Sequence, residues 1–199
     1  MRDHFESDRI IIRKLLVSDF YDVYKNIRNK QVRKWIGAPR NKVFENPIGR
    51  AICRYAEYFL KGMKVLFSAF FKSNTQKVYR FGIVLKETGR VIGIISLTKN
   101  SHNDDFADIG FWIGRRYWGR GLMSEILPLA VKFGFEQLEL ERIEAWTFEE
   151  NSGSIKVLEK CAFKQESVVK NAYVKYGQHR NRVNYAICKS EFRKAWHGS

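Results

Sequence analysis

The sequence predicts an α/β protein in which helices cover the faces of one mixed β-sheet. About seven stretches rich in β-branched and aromatic residues predict strands, and about four longer stretches with apolar residues at helical spacing predict helices. The first strand is followed by two helices, three strands then follow together, and helices alternate with strands toward the C-terminus. This order is typical of a sheet with helices packed on both faces.

The predicted strands differ in how clearly their ends are marked. The sharpest boundary is "ETG", which separates "YRFGIVLK" from "RVIGIISLTK" and predicts a tight hairpin. The predicted strands cover residues 9–16, 79–86, 90–99, 107–114, 142–148, 163–175 and 182–189.

Capping residues mark the starts of the predicted helices. Ser18 and Asp19 begin the first, Asn46 and Pro47 the second, and Asn151 the last. Pro128 interrupts the third helix, where it removes a hydrogen bond and should bend the chain. The predicted helices cover residues 18–27, 46–62, 121–136 and 151–161, and residues 33–44 are predicted to form a loop.

The composition predicts one domain over residues 1–199. The chain is 45% hydrophobic, and it has neither a repeat nor a linker rich in proline, glycine and serine. No apolar run approaches the roughly 20 residues that span a bilayer, and the charged N-terminus does not resemble a secretory signal. Cys53, Cys161 and Cys188 are widely spaced, so we expect reduced thiols in a cytoplasmic protein.

The formal net charge of +15 favours anionic partners such as nucleotide cofactors and RNA. It works against strongly cationic substrates such as polyamines unless an acidic pocket reverses the local field. The basic residues are spread along the chain, as in "RNKQVRKW" and "KYGQHRNR", and each such cluster is interpreted as a solvated surface.

The stretch "FWIGRRYWGRGLMSE" places glycines and arginines between a strand and a helix. A helix start offers unpaired N–H groups and a positive dipole end, and Gly119 and Gly121 carry no side chain that would hold an anion away. Arg120 adds charge. These features predict a pyrophosphate site, with a glycine-bearing turn and solvated arginines as the alternative. The spacing fits neither G-x-G-x-x-G nor a Walker motif.

Three segments resemble the Gcn5-related N-acetyltransferase (GNAT) superfamily, in its ribosomal-protein N-terminal acetyltransferase (RimJ/RimL-like) branch. They are "DRIIIRKLLVSDFYDVY", "DIGFWIGRRYWGRGLMSEIL" and "RIEAWTFEENSGSIKVLEKCAF". They occur in the family's order and spacing and cover most of the chain. The resemblance implies the GNAT fold, which is a mostly antiparallel mixed sheet with a splayed strand pair that holds acetyl-coenzyme A (acetyl-CoA).

The resemblance also implies which residues bind the coenzyme. Main-chain groups at the end of the central strand would meet the pantetheine arm, and amides of Trp118 to Met123 would hold the pyrophosphate, with charge added by Arg120 and Arg115. Asn151 would bond the pantetheine, and Ser154 would lie near the thioester sulfur. The full set is Phe111, Trp112, Ile113, Trp118, Gly119, Arg120, Gly121, Leu122, Met123, Asn151 and Ser154.

Acetyl transfer to an amine needs a base, stabilisation of an oxyanion, and a proton for the departing thiolate. Asp108 stands where this branch usually has glutamate and is the first candidate for the base, and Glu150 is the second. Leu158 occupies the position of a tyrosine acid in many relatives, so Ser154 becomes the candidate proton donor.

Other titratable residues take lesser roles in this interpretation. Tyr173 and Tyr176 are outside candidates for the acid, and His102 is interpreted as a surface histidine. No metal-ligand spacing occurs, and we expect no metal in catalysis.

Two functions are consistent with these features. The first is an acetyl-CoA-dependent N-acetyltransferase that acts on a primary amine, either a protein N-terminus or a small molecule, in a pocket shaped by residues 33–44 and the last hairpin. The alternative is a non-catalytic module that binds coenzyme A or RNA. Transient contact with ribosomal RNA and a homodimer both stay open.

Overall fold

The computed structural model describes residues 4–36, 77–100 and 103–197. Its strands are β1 (His4–Glu6), β2 (Ile10–Lys14), β3 (Val78–Leu85), β4 (Arg90–Lys99), β5 (Phe106–Ile113), β6 (Arg142–Phe148), β7 (Lys164–Lys175) and β8 (Gln178–Cys188). The helices within these ranges are α1 (Phe20–Ile27), α2 (Lys30–Trp35), α3 (Leu122–Gln137), α4 (Ser152–Lys160) and α5 (Lys189–His197).

The strands form one mixed sheet in the order β1-β2-β3-β4-β5-β6-β8-β7. Every neighbouring pair is antiparallel except β5 and β6, which run parallel. The predicted α/β class and the mostly antiparallel sheet are therefore confirmed.

The sequence missed β1, α2 and α5. β1 is three residues long, and its polar sequence gains order by pairing with β2, where His4 faces Arg13. α2 lies partly in the predicted loop; the Asn29 side chain caps it by accepting from Gln31 N at 2.9 Å. β1 and α2 are too short to bury enough side chains for a periodic pattern.

Other predictions differ from the structure only in extent. α1, α3, α4 and the β3–β4 hairpin lie where the sequence predicts them, whereas β8 begins at Gln178 instead of residue 182. α3 runs through Pro128. The predicted helix 46–62, with Cys53, and the greater part of loop 33–44 lie outside the described residues, as does His102.

The sheet packs helices on both faces. On one face α3 contributes Leu122, Ile126 and Leu127 to the main core, together with Ile95 of β4. On the other face Val23 of α1 packs against a smaller cluster that includes Ile94 of β4. Successive side chains of a strand point to opposite faces, so β4 serves both layers.

Strands β5 and β6 separate partway along their length. Their ladder contains three pairs, which end with Asp108 opposite Glu144. Beyond this pair β5 continues to Ile113 beside β4, and β6 continues to Phe148 beside β8. The two strands therefore leave a gap in the middle of the sheet, and their main-chain groups face it without a ladder partner across it.

Candidate active site

A cavity of about 630 Å³ lies at the gap between β5 and β6. Three groups of residues enclose most of it: the end of β5, the start of α3 with the turn before it, and the start of α4. They are Phe111, Trp112, Ile113, Arg115, Tyr117, Trp118, Gly119, Arg120, Gly121, Leu122, Met123, Ser124, Glu150, Asn151, Ser152, Gly153, Ser154, Lys156 and Val157. α2 supplies Gln31, Val32 and Trp35, and Ile36 directly after it also lines the cavity.

The start of α3 is built for contact with an anion. Gly119 and Gly121 both have φ +73°, a left-handed conformation that disfavours a side chain, and Gly121 is the N-cap. The first amide that bonds inside the helix is that of Glu125, which donates to Gly121 O at 3.2 Å. The amides of residues 122–124 precede it, so they have no helical carbonyl to bond and are available to a ligand.

Two side chains fix the loop before α3. The Trp118 indole Nε1 donates to Ile113 O at 2.8 Å, which ties the loop to the end of β5. The Arg115 guanidinium lies 4.9 Å from the centre of the Trp118 ring. From the other side, Arg9 Nη1 donates to Arg120 O at 3.2 Å. The main chain that would meet the anion is thus held by the strand and by β1–β2.

Glu125 places a carboxylate in the first turn of α3, where it would oppose an anionic ligand. Arg9 neutralises it through Nε, at 2.8 Å from Oε2, and Ser7 also donates to it. Burial works against ionisation of Glu125, but the bonds from Ser7 and Arg9 outweigh it and lower the pKa of this carboxyl. The helix start therefore keeps its positive character.

Asn151 and Ser154 form one hydrogen-bonded unit at the start of α4. Asn151 Oδ1 accepts from the Ser154 amide at 3.3 Å, as the predicted helix cap requires. Asn151 Nδ2 donates to Ser154 Oγ at 2.9 Å. Because the serine oxygen accepts this bond, its own O–H remains available to donate into the cavity.

Asp108 stands on β5 at the last pair before the strands part. The side chain is solvent-accessible, but the surrounding protein still raises the pKa of its carboxyl by desolvation, and the charge of Glu144 raises it further. Arg182 opposes both effects. A carboxyl with a raised pKa holds a proton more readily at neutral pH than an ordinary surface aspartate.

The structure brings together all the residues predicted to bind the coenzyme. Every member of that set lines the cavity, and so do Arg115 and Glu150. Asp108 and Tyr173 are not among the described residues that line it. Tyr173 packs on Trp146, with ring centres 5.7 Å apart, and Tyr176 is 71% exposed.

The sequence predicted that residues 33–44, which include Trp35, shape the acceptor pocket, but it missed that residues 30–35 form helix α2 and that the helix lines the cavity. Val32 is buried and Trp35 lines the wall, three positions along the same helix. The available signals were the cap residue Asn29 and this spacing, but a helix of six residues gives only one such pair.

Within the described ranges no group of three His, Cys, Asp or Glu side chains is arranged to hold a metal ion. None of the helices in the same ranges has the length and apolar character to cross a bilayer. Of the two described cysteines, Cys161 is buried, and burial raises the pKa of its thiol to about 11.

The parted strands, the glycine-flanked helix start and the Asn151–Ser154 unit are the features expected of an acetyltransferase. Residues 9–164 match the family described as acetyltransferase (GNAT) domain, so the chain belongs to this family of acetyl-CoA-dependent acyltransferases. Its resemblance to relatives in the family extends over most of its secondary structure.

Among relatives, the uncharacterized N-acetyltransferase p20 of Bacillus licheniformis is 34% identical over 113 residues, which are 57% of this chain and 64% of p20. A ribosomal-protein-S5-alanine acetyltransferase from Vibrio fischeri shares the fold with a TM-score of 0.71 and 20% identity, over 95% of this chain and 98% of that one. A spermidine N-acetyltransferase from Vibrio cholerae, solved with CoA and spermine, has a TM-score of 0.73 and 16% identity, over 94% and 99%.

Proposed function

We propose that the protein transfers the acetyl group of acetyl-CoA to a primary amine by direct attack in a ternary complex, within one domain over residues 1–199. The observation that supports this most is the cavity between β5 and β6, because it joins a helix start suited to a diphosphate with a serine suited to a leaving thiolate. Its volume of about 630 Å³ is ordinary for a small-molecule site.

The described residues fit acetyl-CoA as the acyl donor. Amides of Gly119 to Met123 would bind the pyrophosphate, with Arg120 adding charge, whereas the Trp118 amide already donates to Arg115 O at 3.3 Å. The open main-chain edge of Phe111 to Ile113 would bind the pantetheine arm in the manner of a strand. Asn151 would add a side-chain bond. The chemistry that acetyl-CoA supplies is an activated acetyl group.

In this proposal Ser154 is the proton donor to the thiolate. Asn151 Nδ2 fixes the position of its oxygen and leaves the hydroxyl hydrogen free to point toward the cavity. Leu158 cannot replace it, because this side chain is apolar and only 1% exposed.

Asp108 is the proposed base. It stands outside the cavity but at the point where the strand gap begins, so it would accept the amine proton through a water molecule. Glu150, which lines the cavity, is the second candidate.

The acceptor in this proposal is a primary amine, either a protein N-terminus or a small molecule. The RimJ/RimL-like resemblance and the likeness to a ribosomal-protein acetyltransferase favour an N-terminus. The likeness to a spermidine acetyltransferase instead favours a small-molecule amine as the acceptor.

The proposal is tested by release of free thiol from acetyl-CoA in the presence of a panel of amines. We expect release that depends on the acceptor, and Ser154→Ala should lower kcat by about 10²-fold while leaving the Kd for CoA within a few-fold. Ser152→Ala is the matched control, since Ser152 also lines the cavity and lies two residues earlier in α4. Thiol release that no amine increases would contradict the proposal and favour the non-catalytic binder.

A further inference from the structure

A cluster of arginine and aromatic side chains lies beside the proposed base. Arg180 and Arg182 come from β8, Trp146 and Phe148 from β6, and Trp35 from α2; we call these five residues the arginine–aromatic cluster. The Arg180 guanidinium lies 5.2 Å from the Phe148 ring centre and 5.7 Å from that of Trp35. The Arg182 guanidinium lies 5.8 Å from the Trp146 ring centre.

Among the described residues, three guanidinium nitrogens of this cluster are buried without a hydrogen-bond partner. Arg180 is only 8% exposed, and neither its Nε nor its Nη1 meets an acceptor in the described part of the chain. The Nε of Arg182 is in the same state. A buried donor that is left unpaired destabilises the folded state, and it does so more strongly when it belongs to a charged group. Stacking on aromatic rings attracts the charge but does not satisfy N–H groups.

An oxyanion is the ligand that these groups lack. A guanidinium presents parallel N–H donors that match the two oxygens of a carboxylate or phosphate, and such bonds are strongest away from water. Asp108, with Glu144 opposite it, is the carboxylate whose charge reaches Arg182. Arg182 lowers the pKa of Asp108, but no ion pair between these two described side chains is present.

The positive charge of the cluster is increased by Lys175. Its Nζ lies 5.5 Å from the Phe148 ring centre and donates to the carbonyls of Arg33, at 2.9 Å, and Ile36. Burial, and then repulsion from Arg180, lowers the pKa of Lys175 to about 8. Lys175 and Arg180 therefore place two positive charges close together, and no described carboxylate contributes to the pKa of Lys175.

The position of the cluster fits the acceptor side of the reaction. Phe148 pairs with Arg182 and Glu144 with Asp108, and side chains two residues apart share a face, so Arg182 and Asp108 lie on the same side of the sheet. Trp35 belongs both to the cluster and to the wall of the cavity. A molecule bound at the arginines would thus lie beside the base and next to the coenzyme site.

We infer that the acceptor amine also carries an oxyanion, a carboxylate or a phosphate, which Arg180 and Arg182 bind while the amine faces Asp108. This inference rests on the proposed function and names its substrate class. It sets this chain apart from an enzyme for polyamines, which carry no anion, and it agrees with the net charge of +15.

The test compares amines in pairs that differ only by the oxyanion: tryptamine with tryptophan, and ethanolamine with O-phosphoethanolamine, with spermidine added as a polycation. We expect kcat/KM to be at least about tenfold higher for the anionic member of a pair, and the pair that responds distinguishes carboxylate from phosphate. Arg180→Gln and Arg182→Gln should remove this preference without changing the Kd for CoA. Any difference in the intrinsic reactivity of the two amines would persist in these variants.

Arg193→Gln, an exposed arginine of α5, is the charge-matched control. Arg180→Lys should fail to restore the preference, because it keeps the charge but not the paired donors. If Arg180→Gln does not fold, the inference is tested by comparing kcat/KM within each amine pair in the wild-type enzyme and in Arg182→Gln. Equal rates within both pairs, a preference for spermidine, or a preference that both variants retain would overturn the inference.

Failure of the proposed function gives a different result. If no amine is acetylated, calorimetry in the presence of CoA still measures the binding of tryptophan against tryptamine and of the phosphate pair. Tighter binding of the anionic member would support the oxyanion site alone, and equal binding in both pairs would overturn it.

Discussion

The proposed coenzyme side and the proposed acceptor side of the site are built in different ways. On the proposed coenzyme side, main-chain groups would face the ligand, and side chains such as Trp118 and Arg9 act behind them to hold the loop. On the proposed acceptor side, the groups that would face the ligand are side chains from three separate elements, including Arg180 and Trp35. A backbone site tolerates changes in many side chains, whereas a side-chain site can change its ligand with a few substitutions.

Substitution of Asp108 should have the largest effect on kcat, because this residue lies at the boundary between the two sides. Asp108→Asn should lower kcat by about 10²-fold or more, since an amide cannot accept the proton. The Kd for CoA should stay within about twofold of wild type, because Asp108 does not line the cavity. Steady-state thiol release and calorimetry measure the two quantities.

Asp104→Asn, in an exposed turn, is the control for this substitution. A kcat that changes by only a few-fold in Asp108→Asn would exclude this residue as the base and leave Glu150 as the candidate.

Gly121→Ala should affect the coenzyme side alone. Its φ of +73° costs a side chain about 1–2 kcal/mol, and distortion of the helix start should raise the Kd for CoA about tenfold. The KM for the amine should change little. Gly89→Ala is the matched control: Gly89 has φ +65° in the β3–β4 turn, so it should lose comparable stability in thermal unfolding and retain CoA affinity. Equal Kd values for the two variants would argue against the anion site.

The smallest expected effect is a shift in pH dependence. Glu144 raises the pKa of Asp108, so Glu144→Gln should lower that pKa and move the acidic limb of kcat/KM to lower pH, by less than about one unit. Glu166→Gln is the control, because Glu166 shares Arg142 with Glu144 through an ion pair of its own. A limb that stays in place in Glu144→Gln, or that moves to higher pH, would contradict the assignment of the limb to Asp108.

The sequence predicted which residues meet at the cavity on the proposed coenzyme side, because the signals for them are local. Gly119 and Gly121 are followed directly by the helix that they begin, and Asn151 caps the helix that contains Ser154. The cap geometry itself brings Asn151 and Ser154 into contact, since an N-cap side chain reaches the amide three residues later. Residue type and spacing are sufficient for such features.

The acceptor side was predicted only as a pocket shaped by residues 33–44 and the last hairpin, and one interpretation of its residues was wrong. The basic stretch around Arg180 was interpreted as a solvated surface, yet the structure buries this arginine between Phe148 and Trp35. Trp35 belongs to α2, a helix that the sequence did not predict. No local sequence pattern indicates that Trp35, about 140 positions earlier in the chain, will pack on Arg180 of β8.

The sequence alone determined the fold class, the family and most of the residues that line the cavity, because periodicity, caps, glycine positions and the three family-like segments are properties of neighbouring residues. Only the tertiary structure decided where β5 and β6 part and how Arg9 neutralises the charge of Glu125. It also decided that guanidinium nitrogens of Arg180 and Arg182 are buried. Those outcomes depend on the desolvation and charge of groups that are distant in the chain, and such quantities exist only after the chain has packed.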